Sequence, residues 1–180
     1  VKKAARRAMV LASVVSGSTG LRRMFGRGPV VRVLTYHRFG DAHRDPWCVD
    51  AAAFEAQMKW LAQQRLAVSL DDIERFVRGE HDLPHGAVLV TMDDGFSSVL
   101  HIAAPIMRKY GIPSVAYVTT GFVGTVSASG ERYLTWDEVA ALPAAGVTVG
   151  SHAHTHRSMA RIALAEAMDE AVHSKQLLEQ

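Results

Sequence analysis

The chain lacks the marks of a disulfide scaffold. It has one cysteine, Cys48, so no intrachain disulfide can form. Nothing beside Cys48 would activate it as a nucleophile, and it reads as a plain thiol. A membrane-spanning run is lacking too. The apolar stretch at residues 8–15 is far shorter than the ~20 residues that cross a bilayer. No internal repeat or low-complexity segment is visible. Acidic residues are absent from residues 1–28, which hold seven of the 20 lysines and arginines. The remainder therefore carries five more acids than bases and shows no basic footprint for nucleic acid.

What is present describes an ordinary globular domain: 180 residues, 48% hydrophobic and 21% charged. Two parts are expected. Residues 1–28 are read as a basic amphipathic segment that can touch an anionic membrane surface, with packing on the main domain or an export signal as alternatives. The location expected from this segment is the periphery of a membrane or the cell envelope. Residues 29–180 form the main domain.

Within it, residues 30–36 are β-branched and apolar and predict a buried strand. Asp50 can N-cap a helix to about residue 64, with Phe54, Met58 and Leu61 on its core face. A short strand is expected at 67–70 and a helix at 71–78. The strand at 87–92 is the clearest interior one, and it runs into Asp93-Asp94-Gly95. A helix over 99–110 follows, with Pro105 as a kink and Gly111 as its stop. Residues 114–119 predict a strand. Thr135 and Glu138 form a capping-box pattern for a helix to about 144. A strand at 147–150 ends at Ser151-His152, and a last helix covers 163–179. This alternation predicts an α/β fold with a parallel sheet and outer helices.

Chemistry gathers at two strand ends, where parallel α/β folds place functional residues. His152 and His156, four apart, can face one cation if the segment turns helically. One carboxylate from Asp93 or Asp94 completes a three-ligand set with open positions, which suits Zn2+ or Co2+ in a catalytic role. The other carboxylate can take a proton from water. The plain reading of Asp-Asp-Gly is a turn, and several histidines in a row can be solvated. His154 is expected to face away from the other two. His37, after the first strand, can line the same mouth.

These residues resemble the polysaccharide deacetylase family, also called the NodB-homology domain or carbohydrate esterase family four. Thr91-Met92-Asp93-Asp94-Gly95 is similar to its first motif. Gly150-Ser151-His152-Ala153-His154-Thr155-His156 is similar to its second, and Leu34-Thr35-Tyr36-His37-Arg38 to its opening segment. Leu134-Thr135-Trp136-Asp137-Glu138 resembles the usual lead-in to the second motif. The resemblance implies a partial (β/α) barrel with its C-terminal part missing. It implies a hydrolase that removes acetyl groups from an acetylated cell-surface or extracellular polysaccharide by metal-activated water, with N-acetyl ahead of O-acetyl. Asp93 would be the general base, and Asp94, His152 and His156 the metal ligands. Ala153 stands where the family has Ser or Thr, so a hydroxyl that orders this loop is expected to be lost. The family's later Arg-x-Pro, Asp and Leu-x-His segments have no counterpart in these 180 residues. The expectation is a fragment completed by a missing C-terminal half or by self-association, with an inactive glycan-binding or assembly protein, or a truncated remnant, as alternatives.

Overall fold

The structure is a computed structural model and describes residues 30–41, 45 and 47–180. Residues 1–28, read as a basic amphipathic segment, lie outside the described residues. Four strands form one parallel sheet in the order β1 (Arg32–Tyr36), β4 (Val88–Met92), β5 (Ser114–Val118), β6 (Val147–Ser151). A second parallel pair joins β2 (Arg38–Gly40) to β3 (Cys48–Asp50). The helices are α1 (Ala51–Gln64), α2 (Leu70–Val77), α3 (Ala104–Tyr110), α4 (Trp136–Ala141) and α5 (Leu164–Leu178). No helix among the described residues is long and apolar enough to cross a membrane.

The core lies between one sheet face and the helices. Val88, Val90 and Met92 alternate along β4 and meet Phe54, Met58 and Leu61 of α1, all buried. The 3.6-residue period of α1 and the two-residue period of β4 put both sets on one interface. Asp50 starts α1 by accepting from the N–H groups of Ala52 and Ala53 at 2.9 and 3.0 Å. The cap of α4 is the expected box: Thr135 Oγ1 accepts from the Glu138 N–H, and Glu138 accepts from the Thr135 N–H.

Several expectations need correction. The first strand is mostly exposed, because β1 pairs only with β4 and forms the sheet edge. Residues 67–70 form no strand. Ala67 makes one bridge to Val88, and Ser69 instead opens α2 with its own capping box. The helix expected over 99–110 is split. A π-helical turn, Val99–Ala103, precedes α3, whose first turn holds Pro105. Proline has no N–H to give and crowds the carbonyl four residues back, which a wider turn accommodates. The helix expected to about 144 ends at Ala141, and a 3-10 turn, Pro143–Ala145, follows.

Candidate metal centre

β4 is buried along its whole length, so its carboxyl end is fixed. The Asp93 N–H continues the ladder, donating to the Tyr36 carbonyl at 2.8 Å. Asp94 then leaves the strand with φ 74°, and Gly95 follows with φ 84°. A Cβ on Gly95 would meet Val118 Cγ1 at 3.2 Å, so the turn needs glycine both for its left-handed backbone and for its close approach to β5.

On the neighbouring strands, the His152 N–H donates to the Val118 carbonyl at 2.9 Å and prolongs the β5–β6 pairing. The histidine segment converges without turning helically. Ala153 and His156 take φ 63° and 60°, and these two left-handed residues fold the loop so that the imidazoles converge. Nε2 of His156 lies 3.2 Å from Asp94 Oδ1, and Nε2 of His152 lies 3.6 Å from it. The ligand atoms of Asp94, His152 and His156 all fall within 4.8 Å of one another. Asp94 Oδ1 is buried and accepts no hydrogen bond. An orphaned anionic oxygen is costly, and one cation among three such atoms would satisfy it. The donor set of two imidazoles and a carboxylate fits a divalent ion.

Asp93 stands beside this trio. Burial pushes its carboxyl above the usual value, and the nearby His152 and His37 counter the rise only in part. The ring of His37 packs 5.0 Å from Trp47. His154 is turned away from the trio. Its Nδ1 lies 3.0 Å from Thr120 Oγ1, and its ring meets His173 edge-on at 4.4 Å.

Some contributors escaped sequence reading. Phe122 packs 6.1 Å from His156 and 5.0 Å from Tyr133, which stacks on Phe96 at 4.4 Å. This aromatic wall borders the trio, and burial, then the Asp94 charge, raises the Tyr133 phenol. Scattered single aromatics carry no motif, so only the fold assembles them. Behind the loop, Glu170 of α5 accepts from the N–H groups of His154 and Thr155 at 2.9 and 2.7 Å.

The family model for polysaccharide deacetylase matches residues 80–180. Among curated proteins, YxkH of Bacillus subtilis (strain 168) is 24% identical over 82% of this chain and 50% of its own length. The poly-beta-1,6-N-acetyl-D-glucosamine N-deacetylase of Staphylococcus aureus is 28% identical over 43% of this chain and 27% of that protein. The chain therefore spans half the length or less of these curated relatives. Among solved structures, IcaB from Ammonifex degensii superposes with a TM-score of 0.73 at 26% identity, covering 84% of this chain and 69% of that one. The deacetylase PplD of Streptococcus pyogenes reaches 0.72 at 21% identity over the same shares, a likeness of fold alone. The expected fold class, a parallel α/β arrangement of the deacetylase type, is borne out.

Proposed function

The chain belongs to the polysaccharide deacetylase family, and from that premise we propose that it is a divalent-metal-dependent hydrolase removing N-acetyl groups from a bacterial surface polysaccharide. One observation carries the reading: the buried, unpartnered Asp94 Oδ1 faces two imidazole nitrogens at 3.2 and 3.6 Å. The name of the Staphylococcus aureus relative supports an N-acetylglucosamine polymer as substrate.

Asp94, His152 and His156 would hold the ion, Zn2+ or Co2+ by the chemistry of the set. When bound, it supplies Lewis acidity to the acetyl carbonyl and acidifies water. Asp93 takes the proton from the attacking water. Its burial suits that task, because a carboxylate that prefers its proton is the stronger base. The backbone bond to Tyr36 holds Asp93 in place, so little reorganisation is needed during proton transfer. The rings of Phe122 and Tyr133 give the site an apolar border on the His156 side.

The test is metal titration with acetate release. The parent chain should bind one Zn2+ or Co2+, and Asp94→Ala, His152→Ala and His156→Ala should each lose it. Stoichiometric metal in all three variants would refute the ligand assignment. Asp93→Asn should keep the ion and lose hydrolysis. Sugar binding with no hydrolysis of an activated acetate ester by the metal-loaded parent would favour a glycan-binding role.

A further inference from the structure

We propose that Glu170 is the positioning residue of the histidine loop: from α5 its carboxylate fixes the turn that aims His152 and His156 at Asp94. The inference rests on the reading of Asp94, His152 and His156 as metal ligands.

Glu170 is only 8% exposed, and among the described residues no lysine or arginine forms an ion pair with it. A buried carboxylate without a cation is costly unless its oxygens are fully hydrogen-bonded. The loop satisfies this one. The consecutive N–H groups of His154 and Thr155 both donate to Oε2, at 2.9 and 2.7 Å. The hydroxyl of Thr155 donates to Oε1. Two successive amides around one anion form a nest, and each bond is charge-assisted. These donors sit between the two candidate ligands, in the one stretch whose backbone must be bent.

That bend is unfavourable by itself. Ala153 and His156 are both left-handed without being glycine, a conformation that persists only when surroundings impose it. Ala153 has no side chain with which to order the loop. The neighbouring strand end helps instead: Ser151 Oγ accepts from the Ala153 N–H at 3.2 Å and donates to Ser174 Oγ at 2.7 Å. Ser174 lies one helical turn beyond Glu170 on α5. The helix therefore grips the loop at two points, and the Glu170 grip lies nearer His156. A loop freed from Glu170 could relax its left-handed residues, and the imidazoles would lose their common aim.

A residue that merely docks α5 would change stability and leave metal affinity alone. A positioning residue changes affinity in the folded protein. Glu170→Gln keeps the shape but removes the charge and puts a donor where the loop needs an acceptor. In the 180-residue chain it should weaken Co2+ or Zn2+ binding by roughly 10–100-fold, the usual effect of losing a group that orients ligands. The visible absorption of the Co2+ form should change with it. Thr155→Val, which deletes one donor, should weaken binding less, and Thr155→Ser should restore the parent affinity. Affinity within twofold of the parent and an unchanged Co2+ spectrum in Glu170→Gln would overturn the proposal, whatever its melting temperature. If Glu170→Gln does not fold, Thr155→Val decides on the same criterion. The underlying reading fails separately, if Asp94→Ala, His152→Ala and His156→Ala retain the ion. Loss in those three with full affinity in Glu170→Gln sinks the positioning role alone.

Discussion

A single methyl group separates two glycines near the site into different cases. A Cβ on Gly121 would stand 2.5 Å from the carbonyl oxygen of His154, the same oxygen that accepts the Gly121 N–H at 2.8 Å. That contact is backbone to backbone, so the histidine loop would have to move. A Cβ on Gly150 would stand 2.7 Å from the ring of Tyr117, a side chain that can turn aside. Gly121→Ala should therefore destabilise the fold by about 1–3 kcal/mol, and more than Gly150→Ala, in denaturant unfolding. A Gly121→Ala variant as stable as the parent would show that the loop yields freely. Residue-level legibility divides along the same line. Asp93, Asp94, His152 and His156 were readable because a motif and strand-end positions mark them. Gly121 and Glu170 were not, since each acts through a neighbour that is remote in sequence.

At the scale of elements, local signals did well where they were chemical. The Thr135–Glu138 pair names its helix start directly, and Gly111 closes α3 with φ 63°. Hydropathy alone did less well. It gave β1 as buried because it registers apolar content, while exposure depends on how many strands flank it. The three-residue strands β2 and β3 carry too few positions for a period. Glu138 also tests how much a cap contributes beyond its helix. Burial pushes its carboxyl up, but bonds from Arg132, the Thr135 N–H and His101 outweigh this and hold it down at about 2. A depressed carboxyl stabilises the fold above its unfolded value of about 4.5, and that contribution is lost as pH falls from there through about 2. The partners are half-exposed, Arg132 at 48% and His101 at 53%, so solvent screening reduces the effect. Glu138→Gln should cost about 1–2 kcal/mol at neutral pH, and its deficit should vanish near pH 2 in pH-dependent unfolding. A deficit that is constant from pH 7 to pH 2 would assign the effect to packing.

Among the described residues the four-stranded sheet is open, with β1 at one edge and β6 at the other. Apolar side chains remain exposed near both: Val33 and Leu34 on β1, and Leu164, Met168 and Val172 along α5. The candidate centre sits at the carboxyl ends of β4 and β6, with Asp93 beside it as the proposed base. Among the described residues, His37 is the imidazole brought to Asp93 without being a candidate ligand. Amide hydrolysis also needs an acid, because the amine must be protonated to leave. A missing or misplaced acid typically forfeits about 10²–10⁴-fold in rate. An activated ester is largely spared, since its leaving group departs without help. The 180-residue chain loaded with Zn2+ or Co2+ should therefore hydrolyse an activated acetate ester measurably. It should release acetate from N-acetylglucosamine oligomers at least 100-fold less effectively than it cleaves the ester, relative to the uncatalysed rate of each. Asp93→Asn should abolish both reactions, which separates the site from bulk metal catalysis. Equal acceleration of ester and amide would mean that the acid already lies within these residues. His37→Ala would then be the variant to lose the amide reaction and keep the ester one.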